Sequence, residues 1–161
     1  MDSKIHNILF ICTHNATRSI MAEAIMNDFG AGRFQAHSAG SRAGGEIHPL
    51  TLEVLRIQNH DVTHLRSKSW EEFTRPEAPK MDFIFTVCDH AAGESCPSWP
   101  GQPVSAHWGF LDPTTVEDDQ ARRKAFNQTY VEIANRIRIF LSLPFEKLER
   151  RSLQNALRDM G

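Results

Sequence analysis

Asn7-Ile8-Leu9-Phe10-Ile11-Cys12-Thr13-His14-Asn15-Ala16-Thr17-Arg18-Ser19-Ile20-Met21-Ala22 decides the fold class. Residues 7–11 form a short apolar run of strand formers without alternation, which suits a strand covered on both faces. Residues 12–18 read as a polar loop. From Ser19 a helix runs to Phe29, with Met21, Ala24, Ile25 and Phe29 at helical spacing and Gly30 as its stop. Strand, tight polar loop and helix in direct succession are the first half of a parallel crossover unit.

The pattern repeats outward from this stretch. A second strand is expected over 34–37, ahead of the turn-rich Ser38-Ala39-Gly40-Ser41. Pro49 opens a helix to about Asn59 with Leu52 and Leu55 on one face, and Ser69-Trp70-Glu71-Glu72 reads as a capping box before a short helix. Phe83-Ile84-Phe85-Thr86-Val87 is the second clear buried strand, and residues 103–108 hold a fourth. Three Pro, two Gly and two Ser between 89 and 103 predict a loop there. The longest helix is expected over 117–143 with Phe126, Tyr130, Ile133, Ile137, Phe140 and Leu141 as its core stripe, followed by a final amphipathic helix over 145–160. Alternating strands and helices imply an α/β domain, residues 1–161 as one unit, with a parallel sheet covered by helices on both faces.

Composition narrows the function. At 161 residues the chain is long enough for a sizeable core without metal or disulfide staples. Lys and Arg number 18 against 20 Asp and Glu, for a net charge of −2, so no basic surplus exists to bind nucleic acid by counterion release. No apolar run approaches the ~18 residues a membrane span needs, and the polar start Met1-Asp2-Ser3-Lys4 does not read as a signal peptide. A cytoplasmic enzyme or binding protein is the expectation. Its three cysteines, Cys12, Cys88 and Cys96, cannot pair completely, and a reducing compartment would keep them as thiols. Cys88 and Cys96, with seven residues between them, lack the short spacing of a structural zinc pair.

In open α/β sheets ligands sit beyond the carboxyl ends of the strands. Cys12 and Cys88 each follow one of the two strongest strands, so both are expected on that edge. Between Cys12 and Arg18 lie five residues, Thr13, His14, Asn15, Ala16 and Thr17. A loop of that length can turn successive amides toward one centre and cradle a tetrahedral oxyanion, to which the next helix adds its positive end. Arg18 offers a planar fork for two oxyanion oxygens. The same field favours a Cys12 thiolate, with Ser19 placed to donate to it. The loop lacks the Gly-Lys-Ser or Gly-Lys-Thr of a nucleotide-binding phosphate loop. Asp112-Pro113, ordinarily a turn, supplies the carboxyl that could protonate a departing oxygen.

The loop from Cys12 to Ser19, Met21-Ala22-Glu23, Ser38-Ala39-Gly40 and Asp112-Pro113 together resemble the low-molecular-weight protein tyrosine phosphatases. Thr86-Val87-Cys88-Asp89, Cys96-Pro97 and His107-Trp108-Gly109 resemble the arsenate reductase branch of that family. The resemblance implies a four-stranded parallel sheet and reduction of arsenate to arsenite with cysteines as the only redox groups and no cofactor. It assigns Cys12 as nucleophile, Arg18 as anion clamp, Asp112 as acid, and Cys88 and Cys96 as relay thiols. The relay would pass through a Cys12–Cys88 and then a Cys88–Cys96 disulfide. Thioredoxin is the favoured reductant, with glutaredoxin or a small thiol as alternatives.

Two features depart from the family pattern. His14 stands where the loop often has Gly. A potassium site known in some members would draw on Asn15, Glu23 and Ser38, but Lys68 aligns with its remaining acidic ligand, so an ammonium is expected in place of the ion. A phosphotyrosine phosphatase is the alternative reading; it would use Cys12, Arg18 and Asp112 and give Cys88 and Cys96 no role. Such enzymes tend to follow Asp-Pro with tyrosines, whereas this chain has Thr114-Thr115. A non-catalytic oxyanion or redox sensor is a third possibility, without any evident output segment.

Overall fold

The computed structural model describes residues 5–87, 103–144 and 150–160, so Cys88, Cys96 and most of the loop between β3 and β4 lie outside the described residues. In chain order the elements are β1 (His6–Cys12), α1 (Arg18–Phe29), β2 (Phe34–Gly40), α2 (Pro49–Ile57), β3 (Phe83–Thr86), β4 (Val104–His107), α3 (Asp119–Leu141) and α4 (Arg150–Met160). Short 3-10 turns stand at Trp70–Phe73 and Pro113–Thr115.

The sheet is parallel throughout, in the order β2-β1-β3-β4. Ile8, Leu9, Phe10 and Ile11 are all fully buried. Because successive strand side chains point to opposite faces, this requires cover on both. The unalternating apolar run has that cause. Register aligns Cys12 with Gly40, Ile11 with Thr86, and Thr86 with His107, so these residues share the carboxyl edge.

Residues 19–26 of α1 are buried without interruption, so this helix has no solvent stripe over its first two turns. α3 buries Phe126, Tyr130, Ile133, Ile137 and Phe140, while Leu141 of the expected stripe is only half-buried. The Phe140 ring lies 5.3 to 5.7 Å from the rings of Phe34, Phe83, Phe85 and Trp108, which joins β2, β3 and the segment after β4 to this helix. Trp108 stacks on Phe85 at 4.2 Å. At the far end of α1, His60 bonds Asp28 through Nδ1 and Tyr130 Oη through Nε2, tying α1 to α3.

Three local expectations need correction. Ser38, Ala39 and Gly40 are the last residues of β2 rather than a turn, because Gly40 continues the ladder against Cys12 and bridges to Ser69. The capping box at Ser69 is half-formed. Ser69 Oγ accepts from the Glu71 amide, but Glu72 pairs with Arg66 instead of reaching back. α3 starts at Asp119, two residues later than expected, because the Asp118 carboxylate caps it by accepting from the Ala121 amide.

Candidate active site

β1 ends on Cys12, 5% exposed, at the centre of the sheet's carboxyl edge. The chain then turns through Thr13 to Thr17 into α1. Asn15 takes a φ of 52°, a left-handed conformation that Asn tolerates better than most residues. Its carboxamide is fully buried and held at both ends: Oδ1 accepts from the Lys68 amide at 2.8 Å, and Nδ2 donates to Ser19 Oγ at 2.8 Å. His14 lies outside the left-handed region, so the side chain in place of Gly brings no backbone strain.

The surrounding segments hold the loop by its carbonyls. The Ser41 amide donates to Cys12 O and the Arg42 amide to Thr13 O. Ser67 Oγ donates to His14 O. The His48 amide and Thr51 Oγ1 both donate to Ala16 O. In a trans peptide C=O and the next N–H point opposite ways, so carbonyls turned outward aim the amides of Thr13, His14, Asn15 and Thr17 inward. Gly40 makes the close fit possible. A Cβ there would lie 2.5 Å from Thr13 O.

Inside this turn lies a cavity of about 50 Å3 lined by Cys12, His14, Asn15, Ala16, Thr17, Arg18, Asp112 and Thr114. Thr17 stands at the N-cap of α1 but makes no capping bond, and no acid sits in the first turn. The helix end therefore presents uncompensated positive character to the cavity. Thr17 Oγ1 and Arg18 Nε are buried without a hydrogen-bond partner. A buried donor left unpaired costs about 1–3 kcal/mol, a cost that an anion in the cavity would offset. The arrangement has the donors and the size to take up a small tetrahedral oxyanion.

Arg18 is anchored on its outer side, donating from Nη1 to Phe110 O at 2.9 Å, with Nη2 3.5 Å from Asp112 Oδ2. Asp112, the expected acid, thus stands over the loop beside the clamp. His48 caps α2 by accepting from the Leu50 amide at Nδ1. Burial, with Arg122 adding to it, holds this imidazole below its ordinary range, so the ring stays neutral and able to accept.

Behind the loop lies a buried charged cluster. Ser38 Oγ donates to Glu23 Oε1 at 2.5 Å. Lys68 Nζ stands 3.4 Å from the same oxygen and 3.5 Å from Ser38 Oγ, and donates to Arg66 O at 3.0 Å. Burial pulls the Lys68 ammonium below the usual lysine range, and the Glu23 carboxylate opposes that pull.

The structure brings Cys12, His14, Asn15, Ala16, Thr17, Arg18 and Asp112 together around one cavity, whereas Thr13 is not among its lining residues and Ser19 is fully buried, holding Asn15. Cys88 and Cys96 fall outside the described residues. Sequence reasoning missed the Phe110 carbonyl on Arg18, the bracing by Ser41, Arg42, His48, Ser67 and Thr51, and Thr114 beside Asp112. Backbone carbonyls leave no residue-type signal; Thr114, two residues past the acid, was legible as a turn partner.

With this fold and loop, the chain belongs to the low molecular weight phosphotyrosine protein phosphatase family, whose profile matches residues 7–154. Within it, the chain is 31% identical over 141 residues to the arsenate reductase of Halalkalibacterium halodurans, covering 87% of this chain and 96% of the relative. Among solved structures it resembles the arsenate reductase of Archaeoglobus fulgidus, with a TM-score of 0.65 and 24% identity over 84% of this chain and 99% of that one. It also resembles the thioredoxin-dependent arsenate reductase of Corynebacterium glutamicum, with a TM-score of 0.61 and 25% identity over 97% of this chain and 65% of that one. Among the described residues no helix is long and apolar enough to cross a membrane.

Lys68→Ala is expected to leave Glu23 charged and uncompensated in the interior, lowering unfolding stability by about 3–5 kcal/mol in urea denaturation at pH 7. A loss under about 1 kcal/mol would contradict the pairing.

Proposed function

We propose that this protein is an arsenate reductase, in which Cys12 attacks arsenate and the Cys88 and Cys96 thiols carry away the resulting oxidation. The observation that carries this reading is the cavity itself: about 50 Å3, enclosed by the Cys12 loop, Arg18 and Asp112, with no Phe, Tyr or Trp among the described residues that line it. A bare oxyanion suits that space better than an aryl ester, which gains affinity from aromatic walls. The named activity of the relatives in Halalkalibacterium halodurans and Corynebacterium glutamicum points the same way.

The loop amides, the α1 N-terminus and Arg18 bind the arsenate oxygens. Ser19 Oγ accepts from Asn15, which leaves its own hydrogen for the Cys12 thiolate. Cys12 sulfur bonds to arsenic, one arsenic–oxygen bond breaks, and the departing hydroxide takes the Asp112 proton and leaves as water. The Cys88 thiolate then attacks Cys12 sulfur. The sulfur–arsenic bond breaks with its electron pair passing to arsenic, so arsenite departs and a Cys12–Cys88 disulfide remains. Attack by the Cys96 thiolate on Cys88 sulfur expels the Cys12 thiolate and moves the disulfide to Cys88–Cys96, where an external dithiol reduces it by exchange. A thioredoxin fits that last role, in line with the thioredoxin-dependent relative, and a cytoplasmic setting supplies it.

In this reading the Lys68 ammonium supplies the positive charge that a bound potassium supplies in some family members. Glu23 and Ser38 already face that ammonium, so the set does not fit a second cation. The midpoint of thermal unfolding is expected to be equal in potassium and sodium chloride of the same concentration; a saturable stabilisation by potassium alone would overturn this.

Removing the nucleophile in Cys12→Ser is expected to abolish arsenite production, and Arg18→Ala to lower it by roughly 100-fold or more, as loss of an oxyanion donor does. Phosphate, of the same shape and charge, should compete with arsenate. Substantial turnover by Cys12→Ser, or no competition by phosphate, contradicts the assignment. For the relay, Cys96→Ser is expected to release about one arsenite per chain and stop as a Cys12–Cys88 disulfide, since exchange needs each thiolate in turn. Peptide mapping after one turnover tests it. Wild type lacking a Cys88–Cys96 link would exclude the relay even if arsenate were reduced.

A further inference from the structure

We infer that Thr114 is a positioning residue that reserves one oxygen of Asp112, Oδ2, to carry the catalytic proton. The inference rests on the reading of Asp112 as the acid. The two oxygens of an aspartate interchange by rotation about a soft, roughly two-fold side-chain torsion, so a carboxyl without anchors offers its proton from either side. Here the symmetry is broken. Asp112 Oδ1 accepts from Thr114 Oγ1 at 2.6 Å and from the Thr114 amide at 3.0 Å. Oδ2 faces the Arg18 guanidinium at 3.5 Å, outside hydrogen-bond range. An oxygen engaged by two donors must give one up before it can take a proton, whereas Oδ2 has a lone pair to spare.

The anchor is itself held. Thr115 Oγ1 donates to Asp112 O at 2.9 Å, and Pro113 fixes the backbone between acid and anchor. Arg122 of α3 ties down the chain beyond, donating from Nε to Val116 O at 2.7 Å. Thr114 also lines the cavity, so Asp112 and its anchor lie together at the oxyanion. In the first step the Cys12–arsenic bond forms, an arsenic–oxygen bond breaks, and the leaving hydroxide takes the Oδ2 proton and departs as water. No electron changes hands there, so Thr114 acts before the redox relay begins.

The amide of residue 114 donates whatever its side chain, so the hydroxyl is the part to test. Thr114→Val keeps size and β-branching and removes one hydrogen bond to a charged group, for which a fall in arsenate kcat of roughly 10-fold is expected. The inhibition constant of phosphate should stay within about twofold, because the oxyanion contacts of Arg18 and the loop remain. Thr114→Ser restores the hydroxyl and should return kcat to near wild type. In an Asp112→Asn background, Thr114→Val should cost under about twofold, since its effect runs through the acid. Equal losses in both backgrounds, or failure of Ser to rescue, would overturn the inference and show a merely structural role. Wild-type kcat in Thr114→Val with a large loss in Asp112→Asn would remove Thr114 and leave the acid in place. Wild-type kcat in Asp112→Asn would remove both. Should Thr114→Val fold poorly, Thr114→Ala in the same cycle gives the same comparison.

Discussion

The site depends on the Asn15 side chain. A loop that turns its amides inward must bend sharply between a strand and a helix, and Asn15 takes that bend in a left-handed conformation. Its buried carboxamide then spans the gap between the Lys68 backbone and Ser19, binding the loop to the segment that passes behind β2 and to the first turn of α1. Both bonds are at 2.8 Å in the interior, where an unpaired amide would be costly. The remaining braces depend on this one. With the loop bent at Asn15, its other carbonyls meet the donors of Ser41, Arg42, His48, Thr51 and Ser67, and Gly40 provides the room.

Positive charge in the site comes from several directions. The cavity faces an uncapped helix end and the Arg18 guanidinium, while the Lys68 ammonium lies behind, neutralised by Glu23. Among the described residues the front charges have no such neutralisation apart from Asp112 at 3.5 Å. An incoming oxyanion therefore meets Arg18 with Asp112 already beside it, which puts clamp and acid within reach of the same oxygens. In the proposed chemistry the loop holds the anion, the sheet delivers the thiol, and the segment after β4 delivers the proton.

Much of this was legible in the sequence. The unalternating run before Cys12 announced a strand buried on both faces, and the Cys-to-Arg spacing announced the loop, because each is set by local chemistry. Lys68 beside Glu23 and Ser38 was legible only through family resemblance, since residues so far apart in the chain carry no pattern of their own. Elsewhere the signal misled. Ser38-Ala39-Gly40 has turn composition, yet the ladder with β1 keeps it extended, with Gly40 chosen for clearance from Thr13 O rather than for a turn. Glu72 had the spacing of a capping box, but the Arg66 guanidinium offered its carboxylate a stronger partner. Arg18's anchor on Phe110 O had no signal at all, being a backbone carbonyl brought in by tertiary structure.

In the proposed reading, a loop shared with phosphatases serves reduction of a small oxyanion. That function is tested most directly by steady-state turnover of the wild-type protein with arsenate and a complete thioredoxin system, beside hydrolysis of an aryl phosphate under the same conditions. Arsenate-dependent consumption of reductant, inhibited by phosphate, is expected at a rate well above aryl phosphate hydrolysis. Rapid hydrolysis of the aryl ester with no arsenate-dependent oxidation of the thioredoxin system would contradict that function.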